Sequence, residues 1–331
     1  MAAPLPTFAD LLAARRRLGT LACRTPLVEH PALNARTGAR VLLKAENLQR
    51  VGAFKFRGAY NKVAQLDKAA YPGGVVACSS GNHAQGVAAA ATLMGFKSAI
   101  VMPSDAPRLK IERTRAFGAE VVPYDRVRED RDAIARELCA RRNAAYVHPF
   151  DDPDVIAGQG TAGLEMMEQA EAMGAVPDIV LVGVSGGGLI GGISIAVKEK
   201  SPSTAVYSVE PEGFDDLARS LASGERQRNG ALSGSICDAL LAATTGELTF
   251  PLARRNLAGG LSVSDEEARV AVRYAFEELK LVVEPGGAVS LAAILAGKLP
   301  IAGKTVAAVL SGGNIDPALF AEIIQDRRCA A

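Results

Sequence analysis

Tryptophan is absent from this sequence of 331 residues, and histidine occurs at only three positions. So few imidazoles argue against a metal centre built from histidine ligands. The cysteines are odd in number and lack the spacing of a metal site or a redox motif; they are Cys23, Cys78, Cys139, Cys237 and Cys329. Reduced thiols are typical of cytoplasmic proteins, so we predict a cytoplasmic location.

An excess of charge is also missing, because 37 lysines and arginines are balanced by 36 aspartates and glutamates. This balance predicts neither nucleic acid nor an anionic membrane as a partner. The N-terminus lacks the positively charged segment and apolar run of a secretory signal. Residues 179–197 carry no charge, but their six glycines and a Ser-Gly-Gly-Gly break predict a strand, a loop and a helix rather than a membrane span.

Short apolar strands alternate with helices, which predicts an α/β fold with parallel strands and right-handed crossovers. Strands are predicted at residues 41–44, 75–78, 99–102, 120–122, 179–184, 206–209 and 305–310. Helices are predicted at residues 8–18, 84–94, 108–117, 129–141, 160–173, 189–200, 265–279, 288–295 and 317–326. Ser264 and Glu267 have the spacing of a capping box at the start of one of these helices.

Lys55 lies between Phe54 and Phe56, directly before an Arg-Gly-Ala sequence. Aromatic neighbours exclude water, and desolvation disfavours the charged form of a lysine. A neutral lysine amine is a nucleophile that forms a Schiff base with an aldehyde. Taken alone, this stretch is explained equally well by a lysine that extends to solvent from the start of a helix.

Three clusters of serine and glycine favour the nucleophilic lysine over the lysine that extends to solvent. They occupy residues 79–83, 185–189 and 311–314, and each follows an apolar run where a strand gives way to a loop or helix. Glycine lets backbone amides approach an anion closely, and the N-terminus of a helix adds its dipole. Three such loops together with a desolvated lysine predict a site for an anionic cofactor.

This combination resembles the serine/threonine dehydratase and serine racemase family, which are pyridoxal-phosphate enzymes of fold type II, the tryptophan synthase β-subunit fold. The resemblance extends from about residue 25 to about residue 324, with the motifs in the family's order. It implies two domains, each a mostly parallel sheet flanked by helices. A small substrate-binding domain of residues 49–145 would be inserted into a large cofactor-binding domain of residues 1–48 and 146–331. A homodimer is also implied.

The resemblance implies how the chain holds pyridoxal 5'-phosphate. Lys55 would carry the cofactor and, once displaced by substrate, act as a general base, while Phe54 would pack against the ring. Ser311 would face the pyridine nitrogen with a neutral hydroxyl, which favours elimination over transamination. The phosphate loop would consist of Ser185, Gly186, Gly187, Gly188 and Leu189, with a serine where family members commonly have glycine.

The resemblance also implies a loop that binds the substrate carboxylate, formed by Ser79, Ser80, Gly81, Asn82 and His83. Asn82 would in addition reach the ring hydroxyl of the cofactor, and no catalytic role is assigned to His83. Ser80 would supply a proton to the second face of the α-carbon, as in racemases, or merely bond the carboxylate. Glu284 lies in a segment that lines the cofactor side of the cleft, with no role assigned.

The acidic stretch of residues 210–216 has two interpretations. It is either a solvated turn or the cation site that the family carries after this strand. In the second case the ligands would be the carboxylates of Glu210 and Asp216 and the carbonyl of Phe214. Oxygen ligands of this kind suit Mg²⁺ or Ca²⁺.

The implied activity is that of an ammonia-lyase, converting L-threonine to 2-oxobutanoate or L-serine to pyruvate, with release of ammonia. With no stretch for a regulatory domain after residue 324, we expect a degradative role. The alternatives are a serine racemase, a dehydratase of 3-hydroxyaspartate or a phenylserine with Arg131 as partner of an extra carboxylate, and β-replacement as in cysteine synthases. A sensor without enzymatic activity, which would form no Schiff base, is the remaining alternative.

Overall fold

The computed structural model describes residues 4–79, 81–106, 108–125 and 128–326, which form thirteen α-helices and ten strands. In chain order the helices are α1 (Phe8–Leu18), α2 (Pro31–Thr37), α3 (Lys55–Val63), α4 (Asn82–Met94), α5 (Arg108–Ala116), α6 (Arg131–Arg142), α7 (Pro153–Ala172), α8 (Gly188–Lys200), α9 (Asp216–Ser223), α10 (Thr249–Asn256), α11 (Asp265–Glu277), α12 (Pro285–Leu295) and α13 (Pro317–Gln325). The strands are β1 (Leu27–Glu29), β2 (Arg40–Ala45), β3 (Val75–Cys78), β4 (Ser98–Pro103), β5 (Glu120–Tyr124), β6 (Ala145–Tyr146), β7 (Ile179–Gly183), β8 (Ala205–Pro211), β9 (Gly259–Val263) and β10 (Thr305–Leu310).

These strands form two sheets. The larger has the order β1-β2-β10-β7-β8-β9, and the smaller has the order β5-β4-β3-β6. Among the described strands only β1 and β2 pair antiparallel, and every other pair is parallel. Helices pack on the sheets, so the predicted α/β class is confirmed. The large sheet takes its strands from residues 27–45 and 179–310 and the small one from residues 75–146; the division into domains at residues 49 and 145 stays a prediction.

β7 illustrates why the central strands are wholly apolar. Val180 and Val182 pack with Ile193 of α8 on one side of the sheet. Leu181 belongs to the cluster on the other side, where it packs with Val289 of α12. Successive side chains of a strand point to opposite faces, so a strand covered by helices on both faces has no solvated position.

All seven predicted strands are confirmed, with ends that differ by no more than two residues. The prediction missed β1 and β6, which are very short, and β9, which begins with two glycines that weaken a strand pattern. The nine predicted helices are present, and the capping box of Ser264 and Glu267 is confirmed at the start of α11. The short helices α2, α9 and α10 were not predicted, and of α3 only the start beside Lys55 was, since few turns give a weak period.

α7 begins at Pro153, seven residues before its predicted start. Asp152 caps the helix through the amides of Asp154 and Val155. Gly158 lies where α7 approaches α3 so closely that a Cβ atom would sit 2.5 Å from the carbonyl oxygen of Arg57. This glycine therefore serves helix–helix contact and does not break the helix.

The uncharged residues 179–197 form β7, a loop and most of α8, as predicted. Within the described part of the chain, no helix has both the length and the apolar character needed to cross a bilayer.

The carboxyl ends of β3, β7 and β10 lead directly into the three Ser/Gly segments. In parallel α/β sheets, ligands bind beyond these ends of the strands. The two residues before Lys55 are hydrogen-bonded to the last of these segments. Ala53 pairs with Gly312, and the Phe54 amide donates to the Ser311 carbonyl (3.1 Å). The fold thus brings segments from both sheets to one place.

Candidate active site

A cleft of ≈ 200 Å³ lies where the carboxyl ends of β3, β7 and β10 meet. Its wall contains Lys55 and Phe54, the loops that begin at Ser79 and Ser185, and Ser311. The other predicted residues in the wall are Gly81, Asn82, His83, Gly186, Gly187, Gly188 and Leu189. The structure therefore brings together in one cleft the lysine and the three Ser/Gly segments. Ser80 lies outside the described residues.

Lys55 is the first residue of α3, and its amine is enclosed by protein although the side chain borders the cleft. Burial lowers the pKa of the Lys55 amine to about 8. The amine donates to the carbonyl oxygen of Pro149 (2.8 Å) and lies 5.0 Å from the centre of the Phe54 ring. Phe56, which the sequence analysis also placed beside the amine, instead packs in the core against Tyr60. A lysine extended into solvent is thereby excluded.

The loop between β7 and α8 has the features of a phosphate cradle. Gly187 has a positive φ of 92°, and a Cβ atom on Gly188 would lie 2.6 Å from Oε1 of Gln159. The first amides of a helix have no acceptor within the helix and are free to bind an anion. The Ser185 hydroxyl accepts from the Ala242 amide (3.1 Å). A side chain would strain the backbone at Gly187 and crowd Gln159 and Phe150 at Gly188, so glycine favours a loop that suits a phosphate group.

The loop before α4 is held by residues from distant segments. The Gly81 amide donates to the Ser79 hydroxyl (3.1 Å). The Asn82 amide group donates to Glu284 (2.6 Å), and the Asn82 oxygen accepts from Asn314 (2.8 Å). Burial raises the pKa of Glu284 to about 7. The sequence left the role of Glu284 open, and the structure shows that it positions Asn82.

His83 is buried beside Lys55. Burial lowers the pKa of His83 to about 3, so its ring is neutral. Its Nε2 contacts the Val147 carbonyl oxygen (2.9 Å) and therefore carries the proton. That His83 has no catalytic role stays a prediction.

Besides Lys55, two basic residues border the cleft. Arg131 begins α6, and its contact with Asp132 is long, at 3.9 Å. Lys110 of α5 forms an ion pair with Asp238, which also lines the cleft. The sequence analysis named Arg131 as a partner for a second carboxylate but did not find Lys110 or Asp238. No local signal marks them, because a lysine on a polar helix usually points to solvent.

The acidic stretch of residues 210–216 is buried at both ends, so it is not simply a solvated turn. Glu210 and Asp216 are buried, at 0% and 1% exposure, while Glu212 between them is exposed. The Glu210 carboxylate accepts from the amides of Leu217 and Ala218 (3.0 and 2.8 Å). Burial and the charge of Asp216 raise the pKa of Glu210 well above its usual range, and burial also raises the pKa of Asp216.

This donor set consists of two buried carboxylates that repel each other, with the buried Phe214 on the turn between them. A divalent cation would relieve that repulsion, so the residues fit the predicted ion. The described residues contain no group of three or more histidine, cysteine or carboxylate side chains that could hold a metal. The cation therefore stays a prediction.

Comparisons with known proteins support the interpretation of the cleft as a pyridoxal-phosphate site. Residues 20–312 match the family described as "Pyridoxal-phosphate dependent enzyme". The L-threo-3-hydroxyaspartate ammonia-lyase of Pseudomonas sp is 41% identical, over 97% of this chain and 99% of the relative. Among solved structures, a threonine deaminase from T.th. is 48% identical with a TM-score of 0.89, over 94% of this chain and 99% of its own. The serine racemase of Dictyostelium discoideum is 37% identical with a TM-score of 0.86, over 94% and 99%.

Proposed function

The chain belongs to the family of pyridoxal-phosphate-dependent ammonia-lyases and racemases, and from that premise we propose that it is an ammonia-lyase for a β-hydroxy amino acid with a second carboxylate. The substrate class is that of 3-hydroxyaspartate, and the products are a 2-oxo acid and ammonia. This proposal reverses the order of candidates from the sequence analysis, which placed L-threonine and L-serine first.

The main support for this proposal is the part of the cleft wall that contains Lys110 and Arg131. Lys110 is neutralised by Asp238, whereas Arg131, within the part of the chain that the structure describes, has only its long contact with Asp132. A guanidinium without a close partner suits a carboxylate, which it binds through two parallel hydrogen bonds. Threonine offers only a methyl group to this wall. The name of the Pseudomonas relative supports the acidic substrate, and that of the threonine deaminase supports the neutral alternative.

In the proposed reaction, the amides at the start of α4 bind the α-carboxylate of the substrate. Lys55 Nζ, once free, removes the α-proton, and a pKa near 8 keeps much of the amine neutral at a mildly basic pH. The cofactor, when bound to the chain, supplies the sink for the electron pair. The β-hydroxyl takes up a proton as it leaves, so the α-hydrogen and the hydroxyl are lost together as one water. A second water then hydrolyses the resulting enamine to the 2-oxo acid and ammonia.

A substrate panel tests the proposal. The loaded enzyme would be given threo-3-hydroxyaspartate, L-threonine, L-serine and a phenylserine, with release of 2-oxo acid and formation of the opposite enantiomer as readouts. One charge-assisted hydrogen bond contributes about 1.5–3 kcal/mol, so we expect kcat/KM for the diacid to exceed that for threonine by ~10-fold or more. A higher kcat/KM for threonine would contradict the acidic substrate, and enantiomer formation without 2-oxo acid would contradict the lyase.

The acidic pair is proposed to bind Mg²⁺ or Ca²⁺ through Glu210, Asp216 and the Phe214 carbonyl. A ligand at ~100 times its dissociation constant adds about 2.7 kcal/mol to stability. We therefore expect saturating magnesium to raise the melting temperature and a chelator to lower it. Glu210→Gln should respond to neither, whereas Glu212→Gln, which changes an exposed carboxylate in the same turn, should respond like wild type. Equal responses of all three proteins would show that the pair holds no ion.

A further inference from the structure

The carbonyl oxygen of Pro149 is the acceptor for two side chains in the cleft. It accepts from Lys55 Nζ at 2.8 Å and from Gln159 Nε2 at 3.3 Å. The orientation of the amide group follows from chemistry, because a carbonyl can bond only the NH₂ end of a glutamine. Lys55 and Gln159 are therefore joined through one oxygen atom.

Gln159 also reaches the phosphate loop. Its Oε1 lies 2.6 Å from the position that a Cβ atom on Gly188 would take, so it contacts the start of α8. The residue is 1% exposed, and its Oε1 has no hydrogen-bond partner among the described residues. One buried side chain of α7 thus contacts both ends of the cleft, namely the carbonyl that holds the lysine and the loop that suits a phosphate.

We propose that Gln159 is a positioning residue, which orients the free Lys55 amine through the Pro149 carbonyl and sets its distance from the phosphate loop. This inference rests on the role of Lys55 in the proposed function. During turnover the amine is released and must point its lone pair at the α-carbon. If the Pro149 carbonyl is held in place, it keeps one N–H of the amine hydrogen-bonded, and the other N–H and the lone pair then point into the cleft. Misplacement of a catalytic group by about 1 Å costs up to ~100-fold in rate.

The neutrality of Gln159 is part of this role. The titratable groups whose charges couple to Lys55 are His83 of α4 and His148, which precedes Pro149. Burial lowers the pKa of both histidines, which favours the neutral form of each ring. Burial is therefore the main cause of the lowered pKa of the Lys55 amine. A carboxylate at position 159 would stabilise the ammonium form, since an opposite charge within ~4–6 Å raises a lysine pKa by about 1–3 units.

Two variants separate orientation from charge. Gln159→Met keeps the size of the side chain but removes the bond to Pro149, so we expect kcat to fall by ~10-fold or more while KM changes by less than about threefold. Gln159→Glu should move the acid limb of the kcat–pH profile up by about one unit or more. Gln169→Met is the matched control, because it makes the same change in α7 at a residue that bonds Lys44 and Thr25 instead. The control should keep the wild-type kcat and pH profile.

A second readout does not depend on turnover. The full-length chain, freed of cofactor, is reloaded with pyridoxal phosphate across a range of pH, and the loading rate is followed by absorbance. Only the neutral amine attacks the aldehyde, so the midpoint should rise in Gln159→Glu whether or not the chain is a lyase. If Gln159→Met matches Gln169→Met in kcat, or if Gln159→Glu leaves both pH midpoints unchanged, the proposal is wrong. Failure of the proposed function alone would appear as absent turnover with a shifted loading midpoint.

Discussion

Lys55→Ala is expected to abolish turnover and covalent attachment of the cofactor. In the proposed function the amine at this position both forms the Schiff base and then removes the α-proton, so both roles should disappear together. General bases contribute about 10²–10⁴-fold, and loss of the covalent linkage adds to that. The measurements are release of 2-oxo acid and a borohydride-stable label on the peptide that contains residue 55.

Lys62→Ala is the matched control for this change. Lys62 lies two turns further along α3 and forms ion pairs with Asp152 (2.8 Å) and Asp154 (3.0 Å), outside the cleft. It should retain both the label and most of the activity. A Lys55→Ala protein that keeps the borohydride-stable label would place the reactive amine elsewhere and overturn the interpretation of the cleft.

Arg131→Met should change substrate preference more than overall activity. The long aliphatic side chain keeps much of the volume of the arginine but removes its charge. Loss of a charge-assisted bidentate contact should lower kcat/KM for 3-hydroxyaspartate by ~10- to 100-fold. L-Threonine, which has no second carboxylate, should lose less than about threefold. The measurement is kcat/KM for both substrates in the same preparation.

Arg136→Met provides the comparison, because Arg136 lies on the same helix with a side chain that is 72% exposed and a 3.9 Å contact with Asp130. It should behave as wild type with both substrates. Equal losses for the two substrates in Arg131→Met would assign Arg131 a role in holding α6. An unchanged preference would remove the diacid from the proposed function.

Local sequence patterns were sufficient to predict most of the strands and helices of this protein and the loops of its cleft. The apolar runs of the buried strands and the Ser/Gly segments after them are local patterns, which depend on near neighbours in sequence. That Lys55 and Ser311 belong to one site was implied by the resemblance to a known family. The order of their motifs matched a family, and order along the chain is a property of the sequence itself.

Contacts between distant segments could not be predicted in the same way. Lys110 and Asp238 belong to separate parts of the chain, and nothing in either local stretch distinguishes them from solvated charges. Gln159 lies in a glycine-rich part of α7 that the prediction did not recognise as helix in full. Its partners become visible only when α7 packs beside the loop that precedes α8.

The acidic stretch shows the physical reason most clearly. From sequence alone, residues 210–216 fit a solvated turn as well as a cation site, because a carboxylate has the same local pattern in both. Whether Glu210 is exposed depends on the helix that follows it, whose amides bind its oxygens, and on the loop at Thr245, which binds Asp216. Burial and the resulting pKa shifts are properties of the assembled fold, so only the tertiary structure decides between a turn in water and a pair of enclosed charges.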